Sequence, residues 1–217
     1  MVVYGIYYAL GMLAGAAAVT WLLSWPFALP FYILAAFCLY FFRDPERQIP
    51  AGAVAVSPAD GKVVAIRADD AGGSRISIFL NIFDVHVNRA PIAGRVASVE
   101  YKKGQFLVAS KEQASHSNEQ NTITMDGMIQ SQPTRVVFKQ IAGLIARRII
   151  CYVKPGDVLQ AGQRVGLIKF GSRVDVFFGP EWAVAVSIGE RVAGGSSVIA
   201  RFEASGTRFE ASGKGAA

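Results

Sequence analysis

Residues 165–178 read Val-Gly-Leu-Ile-Lys-Phe-Gly-Ser-Arg-Val-Asp-Val-Phe-Phe, two β-rich runs on either side of a Gly-Ser pair. Apolar residues alternate with other residues from Val174 to Phe178, which predicts a half-buried strand. Gly171 and Ser172 are ordinary turn residues, so the pair alone favours a tight turn between two strands. The pair also permits a second interpretation. The Ser172 hydroxyl would attack the Gly171 carbonyl, the chain would break, and Ser172 would become a pyruvoyl group at the head of a new chain.

A weak internal repeat surrounds this stretch. Residues 153–165 recur as residues 186–198, with a Gly-Asp turn at Gly156 in the first unit and a Gly-Glu turn at Gly189 in the second. Each unit predicts a strand, a turn and a strand, and such repeats build sandwiches of short strands. Strand-like runs separated by turn residues also fill the chain from Val54 onward. The sequence therefore predicts a mainly β fold, a sandwich or barrel-sandwich of short strands with hammerhead-like repeats.

The N-terminal residues 1–42 contain no charged residue and no histidine. The run from Val2 to Leu23 is long enough to cross a bilayer as a helix, and a second, shorter apolar run follows the interruption at Pro26. No Lys or Arg precedes the first run, which disfavours a secretory signal. The sequence predicts a membrane-associated helical hairpin over residues 1–42. Basic residues just past it place the rest of the chain in the cytoplasm, on the inner face of the cell membrane.

The remaining residues carry the whole net charge of +6. We interpret residues 43–202 as one β domain and the small, polar residues 203–217 as a disordered tail. A basic domain beside an apolar leader favours an anionic membrane surface as its partner over nucleic acid. The two cysteines, Cys38 and Cys151, form no disulfide framework, and the spacing of histidines and cysteines predicts no metal site.

Five motifs follow one another in the chain and together are specific, although each alone would be weak. The motifs are Phe-Phe-Arg-Asp-Pro-Glu-Arg at 41–47, Ser-Pro-Ala-Asp-Gly at 57–61, Phe-Asp-Val-His-Val-Asn-Arg-Ala-Pro at 83–91, Ala-Arg-Arg-Ile at 146–149 and Lys-Phe-Gly-Ser-Arg-Val-Asp at 169–175. With them the chain resembles the short form of the phosphatidylserine decarboxylases, pyruvoyl-dependent enzymes that make phosphatidylethanolamine. The resemblance runs from about Phe41 to Ala200.

The resemblance implies a proenzyme that cuts itself between Gly171 and Ser172. The large chain would be residues 1–171. The small chain would be residues 172–217, with a covalent pyruvoyl group made from Ser172 and no need for a diffusible cofactor. The ketone of this group would act as the electron sink for decarboxylation of phosphatidylserine to phosphatidylethanolamine. Another Gly-Ser pair begins at Gly195, but it lacks the Arg-Val-Asp that follows Ser172, so we expect a turn there.

A serine hydroxyl needs a base to become a nucleophile, and histidine is the usual base near neutral pH. His86 is the candidate, because an extended backbone would place it on one polar face with Asp84 and Asn88. A carboxylate has to orient the imidazole. The resemblance points to Asp60 for this role, whereas Asp84 is closer in sequence.

Three residues are candidates for substrate binding, namely Asn88, Arg89 and His116. Arg89 stands where the longer bacterial form of the family has a second histidine, and a guanidinium suits a phosphate or a carboxylate. His116 lies in a polar loop or short helix that could cover the site and touch the headgroup. Whether His86 serves both self-cleavage and decarboxylation stays open.

Two alternatives to this function remain at the level of the sequence. One is a pyruvoyl decarboxylase of another amino acid, which the apolar leader disfavours. The other is a membrane-anchored, non-enzymatic module of the lipoyl or biotinyl type, whose swinging arm needs a lysine at a hairpin tip, and Lys169 is poorly placed for that. Expected partners are phosphatidylserine, the bilayer and the two chains of the cut proenzyme. Exposed strand edges favour a homodimer without establishing one.

Overall fold

The computed structural model describes residues 2–69, 72–105, 107, 114–143, 148–169 and 171–203, with the backbone alone at positions 114 and 116. Apart from its first residue, the predicted disordered tail lies outside the described residues. The same holds for the first half of the Ala-Arg-Arg-Ile motif and for the phenylalanine at position 170.

Two apolar helices open the chain, α1 (Val3–Leu22) and α2 (Trp25–Phe41). The break between them falls at the predicted place, with Pro26 in the first turn of α2, where a missing N–H costs no hydrogen bond. Most large apolar side chains of the pair point outward, and α1 is long and apolar enough to span a membrane. Small buried side chains let the two backbones approach closely, namely Ala9, Ala16, Ala28 and Ala35.

The rest of the described chain consists of short strands and one short helix. In chain order they are β1 (Val54–Val56), β2 (Gly61–Ala68), β3 (Ser74–Leu80), β4 (Val87–Arg89), β5 (Gly94–Lys102), α3 (Ala114–Ser117), β6 (Gln120–Ile129), β7 (Gln132–Ala142), β8 (Ile149–Cys151), β9 (Val158–Leu159), β10 (Arg164–Ile168), β11 (Ser172–Phe178), β12 (Trp182–Val184), β13 (Arg191–Val192) and β14 (Val198–Phe202).

The strands form one large sheet and two small ones. The large sheet is antiparallel, in the order β13-β2-β3-β11-β7-β6-β5-β9, and the small sheets have the orders β1-β14-β12 and β4-β10-β8. Apolar residues that alternate along these strands form one continuous core between the large sheet and the small ones. This arrangement confirms the predicted mainly β sandwich behind a pair of apolar helices.

The two predicted repeat units adopt the same local structure. β9 and β13 lie at opposite edges of the large sheet, and β10 and β14 each lie in the middle of a small sheet. Gly156 and Gly189 have left-handed φ angles of 96° and 94°, which glycine adopts without steric cost. The carboxylates of Asp157 and Glu190 close the two turns, and each accepts the N–H three residues before it at 2.9 Å.

Strand β11 carries the Gly-Ser stretch into the centre of the molecule. It pairs along its whole length with β3 on one side and β7 on the other, and Ser172 lies opposite Leu80 and Ala142. β10 ends at Ile168 in a small sheet, so Gly171 lies where the chain crosses to the large sheet. All but one of the residues of β11 are buried. The prediction of a half-buried strand is therefore wrong, because both of its faces are covered.

Candidate active site

The Gly171–Ser172 bond combines a turn-like backbone with a buried side chain. Gly171 has a φ of 65°, in the left-handed region that glycine adopts freely. Ser172 is fully buried, and its Oγ has no hydrogen-bond partner among the described residues. A buried hydroxyl without a partner costs about 1–3 kcal/mol, and native proteins keep few such groups. An unpaired hydroxyl next to a glycine carbonyl fits a nucleophile held ready for reaction.

His86 lies directly against this bond, just before β4. The backbone N–H of Gly171 donates to His86 Nε2 at 3.2 Å, and His86 Nδ1 lies 2.9 Å from the carbonyl oxygen of Asp84. Because an amide N–H only donates and a carbonyl only accepts, Nε2 carries the lone pair and Nδ1 carries the proton. The imidazole is therefore in the tautomer that a general base needs, with its lone pair directed at the candidate cleavage site.

The surroundings of His86 keep its imidazole neutral. Burial lowers the pKa of His86 to about 4, and the nearby positive charge of Arg43 also lowers it. The hydrogen bond to the Asp84 carbonyl and the charge of that residue oppose the shift but do not cancel it. The ring of Phe41 packs against the imidazole in a tilted arrangement, with 4.2 Å between centroids, and contributes to the burial. His86 is therefore an uncharged base throughout the physiological pH range.

The predicted contact between Asp60 and His86 does not form. The Asp60 carboxylate accepts two hydrogen bonds from Arg47, at 2.8 and 2.9 Å, and one from the N–H of Gly194 at 2.7 Å. These bonds hold the carboxylate beside the segment that follows α2. A role for Asp60 in catalysis stays a prediction, but it is not the group that orients the imidazole.

Asp84 takes the orienting role in a form that the sequence does not reveal. Its main-chain carbonyl accepts the hydrogen bond from the imidazole. Its carboxylate accepts the N–H of Asn81 at 2.9 Å and pairs with Arg191. A main-chain acceptor fixes the tautomer as a carboxylate would, but it places no full charge on the ring, which agrees with the low pKa of His86.

A row of three buried amides runs beside Ser172. Gln140 Nε2 donates to Asn88 Oδ1 at 2.9 Å, and Asn121 Nδ2 donates to Gln140 Oε1 at 3.0 Å. Gln140 lies opposite Val174, two residues along from Ser172 and on the same face of the sheet. The Nδ2 group of Asn88 has no partner within the described part of the chain. Asn88 thus belongs to the amide row beside Ser172, and its contact with substrate stays a prediction. Gln140 and Asn121 were not predicted, although polar residues at inward positions of apolar strands are a usable signal.

The guanidinium of Arg89, a second predicted substrate-binding group, is occupied. Arg89 is buried and donates to the Asp44 carboxylate at 2.7 Å, to the Pro45 carbonyl at 3.2 Å and to the Gly162 carbonyl at 3.0 Å. Asp44 takes the place that a substrate phosphate or carboxylate would need, so the geometry does not support the predicted role. The backbone of His116 lies in α3, and its side chain is outside the described residues, so its contact with substrate stays a prediction.

The sequence model of the phosphatidylserine decarboxylase family matches residues 34–200, which include all of these positions. The chain belongs to the phosphatidylserine decarboxylase family. Relatives named phosphatidylserine decarboxylase proenzyme show how far the similarity extends. The protein of Solibacter usitatus is 62% identical over 197 residues, which is 91% of this chain and 94% of that protein. Those of Magnetococcus marinus and Desulfotalea psychrophila are each 45% identical, over 87% and 78% of this chain and 89% and 81% of the relatives.

In this member of the phosphatidylserine decarboxylase family, the outer face of β11 carries a buried ion pair. Arg173 Nε donates to the Asp175 carboxylate at 2.6 Å, and its Nη2 donates to Ser77 Oγ at 2.8 Å. Ser115 Oγ, in α3, donates to the other oxygen of Asp175 at 2.6 Å. A buried ion pair is tolerated only when further hydrogen bonds satisfy its polar atoms, as they do here. The Arg-Val-Asp part of the motif thus ties β11 to α3 on the face opposite the candidate nucleophile.

Proposed function

We propose that the chain is a proenzyme that cuts itself between Gly171 and Ser172. The pyruvoyl group formed from Ser172 then serves the decarboxylation of phosphatidylserine to phosphatidylethanolamine. The substrate is the one in the names of the relatives. The observation that carries the proposal is the hydrogen bond from the Gly171 N–H to His86 Nε2, beside the buried and unpaired hydroxyl of Ser172.

His86 supplies the base for self-cleavage. Its Nε2 lone pair gives up the Gly171 N–H and accepts the proton of Ser172 Oγ, and the oxygen attacks the Gly171 carbonyl. The acyl group moves from nitrogen to oxygen, and the proton passes to the freed nitrogen of Ser172. Removal of the proton on the Ser172 Cα then expels the Gly171 carboxylate, and hydrolysis of the resulting dehydroalanine releases its nitrogen as ammonia and leaves the pyruvoyl group. The neutral imidazole is ready for the first step because burial keeps it unprotonated.

The position of Ser172 fits a pyruvoyl group. Ser172 begins a strand that is paired on both sides, so the new terminus stays fixed in the sheet after the cut. When formed, the ketone supplies the electron sink for loss of carbon dioxide. The unpaired Nδ2 group of Asn88 binds the substrate headgroup, and His86 returns a proton to the product carbon.

The helix pair suggests where the reaction takes place. α1 is long and apolar enough to span a membrane, and its large side chains are exposed, up to 85% at Trp21. At the other end of the pair, Arg43 lies over the ring of Tyr40 at 3.9 Å, and the Lys169 ammonium donates to the hydroxyl of Tyr8 at 3.0 Å. Basic and aromatic side chains together are typical of a membrane–water interface. We therefore place the β domain at the cytoplasmic face of the inner membrane, where a two-chain lipid need not leave the bilayer.

The same lysine argues against the non-enzymatic alternative. A lipoyl- or biotinyl-type module needs a lysine at a hairpin tip, whereas Lys169 follows β10 and bonds to Tyr8 of α1. A soluble amino acid, the substrate of the other alternative, would give no role to a pair of helices with so many exposed apolar side chains.

Intact-mass measurement of the denatured protein tests the proposal. The parent protein is expected as two pieces, residues 1–171 and residues 172–217, the second with a pyruvoyl group in place of Ser172. Ser172→Ala should leave one uncut chain without decarboxylase activity. The matched variant Ser196→Ala, in another Gly-Ser pair, should be cut normally. Cleavage or full turnover in Ser172→Ala would refute the proposal.

A further inference from the structure

The segment Phe41–Arg47, here called the junction, connects the helix pair to the β domain. It forms the first of the five motifs, yet self-cleavage and decarboxylation as proposed above use none of its residues. Four of its side chains contact two other motifs, residues 57–61 and residues 83–91. These contacts are Phe41 with the His86 ring, Arg43 with the Phe83 carbonyl, Asp44 with Arg89, and Arg47 with Asp60.

Phe41 is the residue of the junction that reaches the proposed base. It is the last residue of α2 and is fully buried, and its ring centroid lies 4.2 Å from that of His86. Behind it, the rings of Phe42 and Phe37 lie 5.0 and 5.9 Å away and form a small apolar cluster with Leu167 of β10. The C-terminal end of α2 and the imidazole of His86 therefore lie in one packed cluster.

The contacts of His86 divide into two kinds. Its two hydrogen bonds, to Asp84 and from Gly171, act on the edge of the imidazole and fix which nitrogen faces the cleavage site. They do not cover the two faces of the ring. The aromatic contact with Phe41, at 4.2 Å between centroids and an interplanar angle of 35°, covers one of these faces and limits movement of the ring in that direction.

We propose that Phe41 is a positioning residue of the self-cleavage site, whose ring holds the His86 imidazole against Gly171 and keeps water away from it. The C-terminal end of α2 is then part of the catalytic centre, in addition to joining the helix pair to the β domain. This inference rests on the proposed role of His86 as the base that acts on Ser172.

Loss of the Phe41 ring should let water reach the imidazole. The pKa of His86 would then rise from about 4 toward the ordinary value of 6.5, because burial is the main cause of its depression. The polar groups around the imidazole would stay in place, so the rise in the pKa of His86 would report on the loss of the apolar contact with Phe41. These groups are the carbonyl and carboxylate of Asp84, Arg191 bonded to that carboxylate, the Gly171 N–H and the Arg43 guanidinium.

The first test follows the titration of His86 in an uncut chain, so that it does not depend on cleavage. Full-length Ser172→Ala protein that also carries His116→Gln has one histidine, which is labelled and titrated by NMR in lipid nanodiscs. Phe41→Leu should raise the midpoint by about one pH unit or more. Phe37→Leu removes a ring of the same cluster that contacts Phe41, and it should leave the midpoint near the parent value. An unchanged midpoint in Phe41→Leu, or an equal rise in both variants, would overturn the proposal.

The second test measures self-cleavage of the freshly translated full-length chain on phosphatidylglycerol vesicles between pH 5 and pH 8. If the pKa of His86 in Phe41→Leu is near 6, this variant should be cut about tenfold more slowly than the parent at pH 5 and nearly as fast at pH 8. Phe37→Leu should follow the parent, and a Phe41→Leu profile parallel to the parent at every pH would contradict the inference. If the parent itself is not cut after Gly171, the proposed function fails, while the NMR titration still decides the role of Phe41.

Discussion

Two Gly-Ser pairs have similar backbones and different surroundings. Gly171 and Gly195 both have a left-handed φ, 65° and 81°. The N–H of Gly195 donates to the Ser57 carbonyl at 2.7 Å, and Ser196 lies in a hydrogen-bonded turn, as expected. The N–H of Gly171 donates instead to an imidazole, and Ser172 starts a strand in the middle of a sheet with its hydroxyl unpaired within the described structure.

The surroundings of the two pairs, and not the dipeptide itself, distinguish a candidate cleavage site from an ordinary turn. A left-handed glycine makes an inert turn where main-chain groups satisfy one another. It makes a candidate cleavage site where a buried histidine replaces the main-chain acceptor and the hydroxyl has no partner. Removal of these features one at a time should make the Gly171 pair behave as the Gly195 pair does.

The largest effect is expected from loss of the imidazole. His86→Gln keeps a polar side chain and removes the base, so self-cleavage should slow by about 10²–10⁴-fold. The rate at which residues 172–217 appear in freshly translated protein measures the effect, and Ser196→Ala should keep the parent rate as a control. Cleavage of His86→Gln at the parent rate would remove the histidine from the mechanism.

Acid should have the next largest effect, because it protonates the same group. Burial holds the pKa of His86 at about 4, so the neutral imidazole dominates above that pH. The cleavage rate should be nearly flat from pH 8 to pH 5 and fall by about tenfold for each pH unit below 4. A rate profile on the refolded proenzyme measures this, and a loss of rate centred near pH 6.5 would mean that the imidazole is hydrated.

The amide row beside Ser172 should matter for stability. Gln140→Met removes the partner of both Asn88 and Asn121, and buried amides left unpaired cost about 1–3 kcal/mol. The thermal unfolding midpoint of the uncut Ser172→Ala chain should fall accordingly. Gln160→Met, at an exposed position, should leave the midpoint unchanged, and equal midpoints for the two variants would argue against a structural role for the row.

The smallest effect is expected from the glycines themselves. Alanine in a left-handed conformation costs about 1–2 kcal/mol at either position. A Cβ at Gly171 would meet no described atom within 4 Å, whereas at Gly195 it would lie 3.0 Å from Arg89 Cδ and 3.2 Å from Ile49 Cδ1. Gly195→Ala should therefore destabilise the uncut chain more than Gly171→Ala, by about 1 kcal/mol. The thermal unfolding midpoints of the two variants measure this difference. A lower midpoint for Gly171→Ala than for Gly195→Ala would contradict the prediction.

Much of the fold could be predicted because it follows local patterns. The helices come from uncharged apolar runs, the strands from alternation, and the repeat from glycines at matching positions. What covers a strand cannot be read from the strand itself. β11 alternates like a half-buried strand, but Ser115 reaches its outer face from 60 residues away and bonds to Asp175 there.

The candidate residues of the site could be predicted better than their contacts. Ser172 and His86 follow from residue types and motifs, and the structure brings the two segments together at the Gly171 N–H. The orienting acceptor is a main-chain carbonyl, which has no signature in a sequence. Arg89 resembles a free anion-binding group until the fold places Asp44, 45 residues earlier, against it.

The place of β11 between β3 and β7 has a consequence for the product of a cut after Gly171. The small chain would contribute β11 to the interior of the large sheet, β13 to its edge and β14 to a small sheet, each paired with a strand of the large chain. The two fragments would be interwoven, and neither could dissociate while the core stays folded. The mature protein would therefore unfold as one cooperative unit, although its backbone is in two parts.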